Sequence, residues 1–171
     1  MKSAIWLLVL FAFGQALRAQ EKTACQDDPL YQMMNFWVGS WQVYDEEGKL
    51  VGSNRIEKIL DQCAVMEHWR SAEGNEGKSL FYVDNNTGTW KQVWVTTNAK
   101  LPWGQKEKTL IFSKEKEQLL FQGAYMMNNQ KVLDRTLLTR INTDEVKQEI
   151  QISRDGGLHW QSAFVGIYKR N

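Results

Sequence analysis

From Trp41 to Arg170 the chain alternates apolar and polar residues in short stretches separated by turn-forming residues. Trp41 to Tyr44 leads through Asp45-Glu46-Glu47-Gly48 into Lys49 to Leu60, then through Asp61-Gln62 into Cys63 to Ser71. Ala72 to Gly77 separates that stretch from Lys78 to Asp84, and Asn85-Asn86-Thr87-Gly88 is a turn into Thr89 to Thr97. Lys108 to Phe112, Gln118 to Tyr125, Val132 to Ile141, Glu145 to Arg154 and Trp160 to Arg170 continue the pattern. About ten short strands with local turns and no sustained helical period predict an all-β antiparallel fold. Pro29 and Pro102 both fall outside the strand runs. Pro29 to Val38 is a short approach segment whose Tyr31, Met34, Phe36 and Trp37 suit the capping of a barrel end. Asn98 to Lys106 is the longest irregular stretch after it, a candidate rim loop. Strand number alone leaves a two-sheet sandwich open. Gly39 followed by Trp41 favours a single up-and-down β-barrel, with the glycine turning the chain into the first strand and the indole plugging one end.

The first twenty residues change the picture in one respect. Lys2, the apolar run Ala4 to Phe13 and small residues at Ala16 and Ala19 read as a secretory signal, too short to span a membrane. Cleavage after either alanine is compatible with the pattern, and residues 21–171 are then one exported domain. About 150 residues can support a single core. Without Lys2 and Arg18 the chain has 19 basic and 20 acidic residues and no basic stripe, which argues against nucleic acid as a partner. Cys25 and Cys63 are the two cysteines, and in an oxidising compartment an even pair favours a structural disulfide closing a loop of 38 residues. Lipidation at Cys25 is disfavoured, because Glu21-Lys22-Thr23-Ala24 lacks the apolar residue such processing needs.

Strand alternation separates inner from outer positions. Val65, Glu67 and Trp69 share one face of their strand, with Met66, His68 and Arg70 on the other. Trp90, Gln92, Trp94 and Thr96 share a face, as do Val146, Gln148, Ile150 and Ile152. Faces rich in tryptophan and aliphatic residues point inward and carry Glu67, Gln92 and Gln148 with them. Apolar walls with a few polar groups suit a small hydrophobic or amphipathic ligand. A closed polar network with no ligand is the alternative use of the same groups. Asn54 and Arg135 join the ligand-binding candidates from strands whose facing is ambiguous.

The run Phe36-Trp37-Val38-Gly39-Ser40-Trp41 resembles the lipocalin and calycin entry motif, and Phe164 to Arg170 resembles the closing strand. The resemblance implies a cation stacked on the entry tryptophan, here Lys169 or Arg170 over Trp41. More narrowly, the chain is similar to secreted bacterial lipocalin-like domains of a family without an assigned function. That similarity runs through Gly52 to Glu57, Cys63, Glu67-His68-Trp69, Gly77-Lys78-Ser79, Trp90 to Val95 and Ser153 to Trp160. It implies a barrel with a cavity and no particular chemistry. Ser153-Arg154-Asp155-Gly156-Gly157-Leu158-His159-Trp160 also resembles the Asp-box hairpin of sialidase propellers. Propellers repeat it in several blades, whereas a single copy reads as a stable turn before the last strand.

Catalytic candidates are few. A buried Glu67 would have a raised pKa and the capacity to act as a general base, and Asp134 is the candidate second carboxylate for paired-carboxylate hydrolysis. Alternation sends His68 outward, against haem ligation, and His159 falls in a turn. No metal site or cofactor is expected from two distant histidines. The expected function is small-molecule binding by an exported protein, secreted or periplasmic. Its rivals are a barrel isomerase or lyase using Glu67 and a non-catalytic protein-interaction module.

Overall fold

The computed structural model describes residues 24–114 and 117–171; the expected signal segment, residues 1–20, lies outside the described residues. A short helix, Ala24–Asp27, and two 3-10 turns, Pro29–Gln32 and Asn35–Trp37, precede ten strands among the described residues. These are β1 (Gly39–Tyr44), β2 (Leu50–Ile59), β3 (Ala64–Ser71), β4 (Glu76–Asp84), β5 (Thr89–Thr96), β6 (Gln105–Lys114), β7 (Gln118–Met127), β8 (Gln130–Arg140), β9 (Glu145–Ser153) and β10 (Gln161–Arg170). Each strand pairs antiparallel with its sequence neighbours, and β1 pairs with β10 to close the barrel. Closure excludes the two-sheet sandwich and leaves no free edge among the described strands. No helix among the described residues is long and apolar enough to cross a membrane.

One end of the barrel is filled by aromatic side chains. Met34 and Trp37 from the approach segment are fully buried with Trp41, Val43, Phe81, Trp90, Phe121 and Tyr168. Trp37 meets Phe81 edge-on at 5.7 Å, and the Trp41 indole donates to the Trp37 carbonyl at 2.9 Å. Trp90 in turn donates to the carbonyl of Leu30, joining β5 to the cap. The Cys25–Cys63 disulfide fastens this cap to the segment between β2 and β3.

Arg170, paired with Trp41 in the β1–β10 register, lays its guanidinium 4.3 Å from the centre of the Trp41 ring. Gly39 makes room for it. A Cβ there would lie 2.3 Å from Arg170 Nη1, and the Gly39 φ of +147° is one that L side chains rarely adopt. Lys169, the other cation expected over Trp41, stacks at 5.5 Å on Tyr44 instead. Alternation explains the correction: Tyr168 and Arg170 share the face that meets Trp41, and Lys169 points away from it.

Candidate functional site

Above the aromatic plug the barrel is hollow. A cavity of about 350 Å³ opens between Trp69, Trp94, Trp103, Ile150, Phe164 and the polar residues beneath them. Asn98 and Trp103 from the loop after β5 line its mouth, and Asn98 Nδ2 donates to Asn75 Oδ1 of the loop before β4 at 3.4 Å. The irregular stretch is therefore a rim. It ends two residues earlier than expected, at Gly104, because β6 begins at Gln105 and carries Lys106 and Lys108 into the wall. Charged residues at 106 to 108 hid that start.

Two tryptophans lie against the wall because the neighbouring strands present glycine. A Cβ on Gly77 would come within 2.0 Å of the Trp94 ring, and one on Gly52 within 2.6 Å of the Trp69 ring. These close approaches keep both indoles out of the lumen. Gly77→Ala is expected to drive Trp94 into the cavity and to cost about 1–3 kcal/mol as overpacking. Thermal denaturation checks the cost, and weakened uptake of a small aromatic alcohol checks the lost volume.

Beneath the tryptophans runs a belt of polar side chains, contributed by strand after strand. Asn54, Glu67, Ser79, Gln92, Lys108, Asp134, Thr136 and Gln148 are all buried. Asn54 Nδ2 donates to Glu67 Oε1 at 2.8 Å and to the Tyr168 hydroxyl at 3.2 Å, and Tyr168 donates to Gln148 Oε1 at 2.9 Å. Ser79 donates to the other Glu67 oxygen and accepts from Gln92 Nε2 at 3.0 Å. Gln92 Oε1 and Asn54 Oδ1 are buried without a hydrogen-bond partner among the described residues. The expected inner set of Glu67, Gln92 and Gln148 thus forms one network with Asn54, whose facing the sequence left open, and with Ser79 and Tyr168.

Burial pushes the Glu67 carboxyl above its ordinary range, against the hydrogen bonds from Ser79 and Asn54 and the field of Lys108. Burial also holds the Tyr168 phenol well above its usual value. A carboxyl raised on folding stabilises the fold fully below its unfolded value near 4.5, and that contribution fades as pH rises through the folded value. Glu67→Gln removes this dependence. The stability difference, wild type minus variant, is expected to fall from pH 4 to pH 8, by ~1.4 kcal/mol per tenfold gain in proton affinity. Urea denaturation across that range reads it, and a difference rising with pH would refute it.

The second half of the belt is ionic. Lys108, Gly123 and Asp134 stand in register across β6, β7 and β8. With no side chain at Gly123 between them, the Lys108 ammonium reaches across β7 to Asp134 Oδ1, and donates to Thr136 Oγ1 at 2.6 Å. Lys106 forms an ion pair with Asp134 Oδ2, close but outside hydrogen-bond alignment. One buried carboxylate therefore serves two lysines. Burial lowers Lys108 to about 8, with Asp134 opposing the fall and Lys106 adding to it.

Of the sequence candidates, Glu67, Trp69, Gln92, Trp94 and Gln148 line the cavity, and Asn54 supports it from below. Arg135 does not. Val132, Asp134, Thr136 and Leu138 form the inward face of β8, so Arg135 lies outside, stacked 3.9 Å from the Trp160 ring and donating to Gln151 at 2.6 Å. His68 is an outer cross-strand residue, 2.8 Å from Glu57 Oε1. The Ser153–Trp160 segment is a hydrogen-bonded turn. Asp155 Oδ1 accepts from the His159 amide at 3.0 Å, Ser153 Oγ accepts from the Gly157 amide, and Trp160 Nε1 donates to the Gly157 carbonyl. The His159 and Ser153 bonds hold the Asp155 carboxyl far below its usual range.

Sequence reasoning missed Lys106, Lys108, Thr136, Ser79 and Tyr168. Alternation around Ser79 and Tyr168 was readable, but a run of charges at β6 is ordinarily a solvated face. Among the described residues no group of three or more histidine, cysteine or carboxylate side chains is placed to hold a metal ion. No protein-family model matches the chain, and no curated protein sequence matches it.

Proposed function

We propose that this is an exported binding protein that holds a small, partly apolar molecule in the open half of the barrel. The cavity carries the reading: about 350 Å³ of space with aromatic walls above a polar floor, within the size range of small-molecule sites. The buried, unpartnered Gln92 Oε1 beside that space adds support, since an unmet acceptor is costly and a ligand donor relieves it after a small side-chain rotation. Export is supported by the signal-like pattern of residues 1–20 and by the disulfide, which persists in oxidising compartments. The contact of Gly39, Trp41 and Arg170 supports a lipocalin-like kinship.

Binding is preferred to isomerase or lyase chemistry for a specific reason. Both Glu67 oxygens already accept hydrogen bonds from Asn54 and Ser79, which makes the carboxyl an orienting group. Asp134, the second carboxylate of a hydrolytic pair, is occupied by two lysines. Native mass spectrometry of protein taken from its own host should show a small adduct that leaves on denaturation, and Trp94→Ala should weaken its retention. An adduct-free spectrum, together with unchanged tryptophan emission across small aromatic alcohols, would overturn the reading.

A further inference from the structure

Lys108 is an amine buried in the wall of an apolar cavity, and it has unusual company. In an ordinary buried ion pair, deprotonating the lysine strands its carboxylate without compensation. Here Lys106 remains beside Asp134 Oδ2, so Lys108 can lose its proton while Asp134 keeps a cation. Lys106 is the more accessible of the two, with its side chain 14% exposed against 3% for Lys108. The deeper amine is the one that burial and a neighbouring cation both favour in the neutral form, and these two conditions activate lysine as a nucleophile.

We propose that Lys108 captures small aromatic or conjugated aldehydes in the cavity as reversible imines. This rests on the cavity being a small-molecule site. The Lys108 Nζ lone pair attacks the carbonyl carbon, and one proton passes from nitrogen to the carbonyl oxygen to give a carbinolamine. The C–O bond then breaks as the remaining N–H proton is transferred to that oxygen, water leaves, and C=N remains. No oxidant or reductant is consumed. Thr136 Oγ1, 2.6 Å from Nζ, and the Lys106–Asp134 pair are the groups placed to relay the protons. Trp94, Trp69 and Phe164 enclose the aromatic part.

The groups around Lys108 set its pH response. Glu67 on β3, Lys106 on β6, and Asp134 with Thr136 on β8 face it, with Gln92 on β5 and Gly123 on β7 as uncharged neighbours in register. Removing Lys106 takes away the neighbouring cation and so raises the proton affinity of Lys108, while burial still opposes its charge.

The full-length exported protein, treated with cinnamaldehyde and cyanoborohydride near pH 7, should carry a reduced adduct at Lys108. Peptide mapping should find that site modified on the order of tenfold or more faster than exposed Lys114, because the cavity holds the aldehyde against the Lys108 amine. Lys108→Met should lose the adduct. Lys106→Met should keep the amine but slow its capture at pH 7 and move the rate profile to higher pH. Cinnamyl alcohol, which cannot form an imine, serves as the control for folding and uptake through tryptophan quenching. If the alcohol is taken up and labelling shows no preference for Lys108, covalent capture is overturned while the binding function stands. If neither compound enters, both fall.

Discussion

Asp134→Ala is expected to destabilise the barrel by about 3–5 kcal/mol, enough to unfold many domains of this size. The aspartate contributes little as a side chain that fills space. Its removal, however, leaves the ammonium groups of Lys106 and Lys108 inside the wall with no opposing carboxylate at hydrogen-bond or ion-pair distance among the described residues. Glu67 is the other buried carboxyl in that region, and its oxygens are bound to Asn54 and Ser79. Lys108 would shed its proton, and Lys106 would turn toward the mouth, each recovering part of the loss. The origin of the effect is testable by compensation. Adding Lys106→Met and Lys108→Met to Asp134→Leu replaces the ionic cluster with apolar volume and should return most of the stability. Urea denaturation of the single and triple variants measures both. A single variant within ~1 kcal/mol of wild type would show that the cluster is not what holds β6 to β8.

Opening the Cys25–Cys63 disulfide is the other large change, at about 3–4 kcal/mol in the chain-entropy account for a 38-residue loop. Its consequences should be confined to one end. The cap stays tied by the Trp90 bond to the Leu30 carbonyl and by Lys58 Nζ to Gln32 Oε1 at 3.0 Å, and Met34 and Trp37 remain an apolar plug. The doubly substituted Cys25→Ser, Cys63→Ser protein should therefore melt earlier yet fold to the same barrel. Cavity uptake at the opposite end should be unchanged at temperatures where it is folded. Differential scanning calorimetry paired with tryptophan quenching separates these outcomes. Loss of uptake in the folded variant would show that the plug and the cavity are coupled through the barrel.

Much of this architecture was legible in the order of residues. Period-two alternation on β3, β5 and β9 sends Glu67 and Gln92 inward beside tryptophans and Gln148 inward beside Val146 and Ile150, because successive strand side chains must take opposite faces. The entry glycine, the plugging Trp41 and the cysteine pair were likewise readable as local signals. Arg135 shows where the reading failed. It sits on a strand with Leu133 and Leu137 on its own outer face and Val132 and Leu138 on the inner, so hydrophobicity did not distinguish the sides.

The order of residues dictates most of the strands, their facing where one side is distinctly apolar, and the two sulfurs available for a bridge. Those properties follow from interactions between near neighbours along the chain. Tertiary structure alone decided that Arg170 rather than Lys169 covers Trp41, that the barrel is hollow above its plug, and that Lys106 and Lys108 share Asp134. Each depends on register across distant strands, and the lysine cluster depends on the gap at Gly123 that lets Lys108 reach β8. Alternation assigns a side chain to a face, whereas the partner it meets there is set by closure of the sheet.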